Sequence, residues 1–222
     1  MFIILWIHLI DLHRRMIASI LREIMRYSPE HKAEVHQRIL QDASRCVRVE
    51  GLTGAGVAAV MRNNGLTHGG FYKHFESKDE LLLESLREAF REFADKLVAV
   101  AEQSGSESPW KAIVKAYLSV DYCRHIEQGC PISALAPEMA RVESKMRGQI
   151  VTELVKYKDR FTPFMPGRRK QDKERNFFVI FSTMIGTIEI ARILPDPAVQ
   201  ERILSGTREF LLSSFADSTK IS

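Results

Sequence analysis

The sequence predicts an all-α protein of two helical units, a small N-terminal module of three helices and a larger C-terminal bundle. Three observations predict it. Apolar residues recur at helical spacing along nearly the whole chain, and the strict alternation of a half-buried strand is scarce. Helix openings repeat one chemistry, a capping side chain followed by proline at the first helical position, at Ser28-Pro29, Ser108-Pro109 and Asp196-Pro197. No strand, glycine-rich loop and helix follow one another as a nucleotide-binding unit requires.

The 222 residues suffice for one large domain or two small ones. A net charge of +4 permits a nucleic-acid partner without requiring one. Three cysteines, an odd number, argue against a disulfide framework and fit a reducing cytoplasm.

Along the chain, residues 1–24 stand apart. Phe2 to Leu12 is strongly apolar, yet shorter than the roughly 20 residues that a membrane-crossing helix needs. Arg14 and Arg15 follow the apolar run rather than precede it, unlike a signal peptide. The segment reads as an extra helix packed on the body or as sequence upstream of a true start at Met16 or, preferably, Met25; a membrane anchor is the minor alternative. Helices are expected near 29–50, 56–63, 67–74, 77–102, 108–127, 138–160, 171–194 and 197–215, with a short helical turn after Pro131. Ser77 and Glu80 form a capping box at the head of the fourth. Residues 102–109 and 161–170 read as loops. The implied organisation is a 25–76 module and a 77–222 bundle.

The stretch "GLTHGGFYKHFESKDELL", residues 65–82, carries the sharpest signal. Val57, Val60 and Met61 give helix 56–63 an apolar face, and Gly65 takes a positive φ angle cheaply after Asn63 and Asn64. Leu66, Phe71 and Phe75 give the next segment its buried side. Two short helices joined by a tight glycine turn make a helix-turn-helix, whose second helix enters the DNA major groove by its N-terminal end. Thr67, His68, Gly69 and Gly70 occupy that end, where small residues allow close approach. Tyr72, Lys73 and His74 supply donors for phosphates and base edges, and Lys78 is a further phosphate candidate. The alternative is a plain glycine loop with Tyr72 in the core.

The run Val60-Met61-Arg62-Asn63-Asn64-Gly65-Leu66-Thr67-His68-Gly69-Gly70-Phe71-Tyr72-Lys73-His74-Phe75-Glu76-Ser77-Lys78-Asp79-Glu80-Leu81 closely resembles the helix-turn-helix and following helix of the TetR/AcrR family of transcriptional repressors. The upstream "RILQDASRCVRVEGL" resembles the family's first helix, so the strong match covers about residues 36–83. Family members often carry Ser or Thr near Ala55 and Gly56 and a polar residue at Ala58, and alanines where Met61 and Asn64 stand. The resemblance implies a homodimer whose N-terminal helices bind a palindromic double-stranded operator. It also implies a C-terminal domain that binds a small-molecule effector and dimerises through its last two helices. By position, Thr67, His68, Gly70, Tyr72, Lys73, His74 and Lys78 would lie at the DNA. A "GCPISALAPEMAR" segment, residues 129–141, looks like one branch of the family.

Within the bundle, "ERNFFVIFSTMIGTIEIARIL" is apolar around most of its circumference and needs cover on every side. Phe181, Ile185 and Ile188, with Ile203, Phe210 and Leu211 of the last helix, are the expected dimer face. A pocket between bundle helices would draw its lining from Phe93, Trp110, Tyr117, Tyr122, Phe161, Phe164, Phe178 and Met184. Cys130, ahead of Pro131, is placed at a helix N-terminus where the dipole lowers a thiol's pKa; with Cys123 as resolving partner it is a candidate redox sensor. Otherwise both are small buried residues. No His, Cys, Asp or Glu spacing suggests a metal site, and no cofactor or catalytic set is expected. The cross-class alternative is a thiol-dependent sensor or enzyme using Cys130, without sequence-specific DNA binding.

Overall fold

The computed structural model describes residues 13–17, 29–54 and 56–215. Most of the 1–24 segment, Met25, the Ser28 cap and Ala55 lie outside the described residues. A helical turn at 13–17 (α1) precedes α2 Pro29–Gly54, α3 Val57–Asn63, α4 Lys78–Glu102, α5 Pro109–Tyr117, α6 Val120–Arg124, α7 Pro131–Met139, α8 Ser144–Phe161, α9 Lys170–Ile193 and α10 Pro197–Ser214. Three 3-10 turns, His68–Lys73, Ile126–Gln128 and Thr162–Phe164, join them. Among the described residues there is no strand.

Capping chemistry sets several of the boundaries. Ser77 Oγ accepts from the Glu80 amide at 3.1 Å while the Glu80 carboxylate reaches back to the Glu76 amide. Asp196 accepts from the Ala198 amide at 2.8 Å ahead of Pro197.

Two expected helices are corrected. The 108–127 helix breaks at Leu118, because Ser119 caps a new helix by accepting from the Tyr122 amide at 3.2 Å. The freed Leu118 carbonyl takes a bond from Arg208 on α10 at 2.8 Å. The 138–160 helix starts only at Ser144, because Pro131 opens α7, which runs to Met139. A third element outruns its expected end. Helix α2 continues to Gly54 across a kink at Gly51, where φ is +82° and ψ is 171°.

Two cores share the long helices. The small one joins Val35, Ile39, Leu40 and Ala43 of α2 to Val60, Met61, Phe71, Phe75 and Leu81. The large one takes Val47 and Leu52 from the far end of α2, Leu82 to Ala101 along α4, and the apolar faces of α5 to α10. Leu81 thus seals the small core although the sequence reading assigned it to the bundle. Along the α2–α4 seam runs a polar ladder: His36 meets Glu84 at 2.9 Å, Gln37 meets Glu88 at 2.8 Å, and Arg48 meets Glu92 at 2.8 Å. The acids stand four residues apart, so one face of α4 presents all three.

By length and composition alone, α9 is apolar enough to cross a membrane, but 44% of its apolar window is buried against the rest of the chain.

Candidate functional site

The N-terminal site grows from the turn after α3. Gly65 adopts φ +69°, and the Leu66 amide returns to the Met61 carbonyl at 2.9 Å. The next segment is a 3-10 turn rather than the expected α-helix, with i to i+3 bonds from Gly70 to Thr67 and from His74 to Phe71, both 2.9 Å. Two adjacent glycines weaken an α-helix at this point. Phe71 and Phe75 are buried and stack at 5.5 Å. That anchoring turns Tyr72 outward, 69% exposed. Thr67, Gly69, Lys73 and Lys78 are exposed beside it, and Gly70 and His74 are half-buried. His68 contributes its backbone to the turn. The expected alternative, Tyr72 as core, is overturned by this exposure.

Gly69 and Gly70 lie outside the positive-φ region. A Cβ at Gly69 would come no closer than 4.0 Å to Thr67 Oγ1, and one at Gly70 no closer than 3.8 Å to Met61 and Thr67. Both are ordinary contacts, so neither conformation nor space inside the described chain demands glycine. His74 is less free than the sequence reading supposed. Its Nδ1 is buried without a hydrogen-bond partner, and its ring lies 6.1 Å from that of His36. Burial, helped by His36, Lys32 and Lys73, holds its pKa below the usual histidine value.

The C-terminal half holds its chemistry inside. Rings of Phe93, Tyr117, Tyr122, Tyr157, Phe161 and Phe181 form one cluster, with Tyr117 and Tyr122 only 4.5 Å apart. Of the expected pocket lining, Phe93 and Tyr122 border a cavity of about 380 Å³ between α4, α5 and the 119–128 segment. Trp110, Tyr117, Phe161 and Met184 are fully packed core, Phe164 is partly buried against it, and Phe178 stands 58% exposed on α9. The sequence reading missed the polar mouth of this cavity, Lys96, Asp121, His125 and Gln128. Polar residues on an outward helix face carry no sequence signal that separates a cavity rim from ordinary surface. A second groove, about 760 Å³, lies between the end of α2, the start of α4 and the α7–α8 turn.

Cys130 is indeed the N-cap of α7, but it is fully buried and burial pushes its thiol pKa up. Cys123 is also buried and its pKa is likewise raised by burial. The expected low-pKa thiol is therefore corrected: desolvation outweighs the helix dipole. The Cys130 amide donates to the Tyr122 hydroxyl at 2.6 Å.

Next to it, the Gly129 carbonyl accepts from Arg48 at 3.1 Å. Arg48 is 2% exposed and also binds the Ser44 carbonyl and Glu92, so it ties α2 to the wall of the bundle. At Gly51 the Leu52 amide donates to Glu138 of α7 at 2.7 Å.

Of the residues expected at a dimer face, Phe210 is exposed, and three are unavailable to a partner. Phe181, Ile188 and Leu211 are buried within their own chain, and Ile185 and Ile203 are half-buried. The apolar side chains that α9 and α10 leave uncovered are Phe178, Val179, Ile190, Ile193 and Phe210. Among the described residues no group of three His, Cys, Asp or Glu could hold a metal ion.

Residues 39–85 match the family model described as bacterial regulatory proteins, tetR family. Among solved structures the fold is similar to a TetR transcriptional regulator from Chloroflexus aurantiacus J-10-FL, with TM-score 0.66, 22% identity, and coverage of 82% of this chain and 96% of that one. It is similar to the transcriptional regulator FadR from Bacillus subtilis in complex with stearoyl-CoA, with TM-score 0.58, 14% identity, and coverage of 80% and 97%. It is also similar to AibR in complex with isovaleryl coenzyme A and operator DNA, with TM-score 0.56, 17% identity, and coverage of 79% and 97%. Among curated proteins none matches the chain.

Proposed function

We propose that the chain, whose residues 39–85 match the tetR-family model, is a ligand-responsive, cytoplasmic repressor of that family. A homodimer grips a palindromic operator, and a small-molecule effector in the bundle releases it. The observation that carries the DNA side is the His68–Lys73 turn. Among the described residues nothing in conformation or space demands its two glycines, and Tyr72 is exposed, as Gly69 and Lys73 are. A duplex against that surface supplies the missing reason, since a Cβ there would stand between backbone and phosphate.

The apolar stripe of Phe178, Val179 and Ile190 with Phe210 supports a twin subunit covering α9 and α10. Such a dimer sets two recognition turns about 34–36 Å apart, one duplex turn. Relatives of the same fold were solved with acyl-coenzyme A ligands, one of them also with operator DNA. That supports a bundle able to house an effector, which acts only through its different affinities for the bound and released states.

The test is fluorescence anisotropy of the protein with its own upstream intergenic DNA and a scrambled duplex, across a salt series. Tight, sequence-dependent binding supports the regulator. Equal, weak binding to both duplexes that collapses with salt overturns it.

A further inference from the structure

The cavity of about 380 Å³ has a two-part lining. Its floor is apolar, with the rings of Phe93 and Tyr122 5.9 Å apart and tilted by 51°, flanked by Leu97, Val100 and Ala116. Its mouth carries Lys96, His125 and Gln128, with the Asp121 carboxylate turned to His125. The Lys96 ammonium has one hydrogen-bonded partner among the described residues, the neutral Gln128 amide oxygen at 3.1 Å. His125 instead leans on Asp121, its Nδ1 2.8 Å from the Asp121 carbonyl and 3.5 Å from the carboxylate. A cation beside an amide, above an aromatic floor, has a better partner in a carboxylate, which brings a full opposite charge where the amide oxygen brings only a dipole. Tilted rings favour an aromatic body over a bare alkyl chain.

We propose that this cavity binds an aromatic monocarboxylate, its ring on Phe93 and Tyr122 and its carboxylate on Lys96 in place of Gln128. The inference rests on the ligand-responsive reading above. It also gives occupancy a route outward: Gln128 precedes Gly129, whose carbonyl Arg48 holds. A ligand that takes Lys96 from Gln128 loosens the turn to which α2 is tied.

Isothermal titration of the full chain with 3-phenylpropanoate, 3-phenylpropan-1-ol and 3-phenylpropylamine tests this. The carboxylate binds at least tenfold tighter than the alcohol or the amine. Lys96→Met lowers carboxylate affinity at least tenfold and leaves the alcohol unchanged; Gln128→Ala binds the carboxylate equally or more tightly. Both side chains are exposed, so each variant folds. No binding, equal binding of the three probes, or indifference to Lys96→Met overturns the proposal. Operator affinity measured on the same samples separates this failure from failure of the repressor reading, since a protein that binds operator but none of the probes leaves the regulator intact.

Discussion

The two cores put their chemistry on opposite sides of their walls. In the small core, Phe71 and Phe75 lie inside so that Tyr72 and Lys73 face out, and the packing serves as an anchor for a surface. In the large core the polar atoms themselves are inside: hydroxyls of Tyr117, Tyr122 and Tyr157, the Cys130 thiol and the Trp110 indole. Burial raises the pKa of all three tyrosines and of the thiol, so the interior holds them neutral. Substitutions on the outward face of the small module should therefore change affinity with little effect on stability, and substitutions in the interior of the bundle the reverse.

The strongest test of that contrast is Trp110→Ala. The side chain is 1% exposed, and removing it should cost about 3–5 kcal/mol in denaturant unfolding. Operator affinity of the fraction that remains folded should be unchanged. Next in size is Gly51→Ala, at the joint between the cores. A Cβ there would stand 2.6 Å from Glu138 Oε1 on a backbone at φ +82°. Strain of this kind costs about 1–3 kcal/mol, and thermal unfolding should show it as a lowered midpoint.

Tyr72→Ala should leave the midpoint in place and weaken operator binding about tenfold, or ~1.4 kcal/mol. Gly69→Ala sharpens the same point, because stability and affinity should part company. Alanine fits, so the free protein should gain up to about 1 kcal/mol, the scale of a glycine-to-alanine change, while anisotropy records weaker binding.

The smallest effect is a pH dependence. His74 in the folded state titrates below the ordinary 6.5, with His36, Lys32 and Lys73 facing it. Below that value the unfolded chain takes up a proton that the folded one refuses, so stability present at neutral pH is lost as pH falls. His74→Gln should flatten the profile between pH 7 and pH 5.

The contrast also explains what was legible in the sequence. Spacing of Phe71, Tyr72 and Phe75 around a glycine turn fixes which residues face out, because a short helical turn leaves few arrangements open. Capping at Ser77 and Asp196 is local and could be read directly. The break at Leu118 could not, since Ser119 is an unremarkable cap until Arg208, far along the chain, satisfies the carbonyl that the break exposes. Which apolar side chains of α9 stay uncovered was not legible, because in a helix apolar all round no periodicity says which side meets the same chain; of the residues expected at a dimer face only Phe210 is exposed. Cys130 does stand at its helix start, and of the two readings offered for it the buried residue is the one observed; the sequence could not choose, because burial is a tertiary fact.

The shared use of α2 bears on how such proteins can be recombined. Val47, Arg48 and Leu52 belong to the bundle although they sit on the first helix of the DNA-reading module. A hybrid regulator made by cutting after residue 76 would leave Arg48 without Glu92 and Gly129, and Leu52 without Glu138. On the proposed function, changing the DNA specificity is then a matter of exchanging the outer face of the 57–78 segment, with the helix beneath it kept as native scaffold.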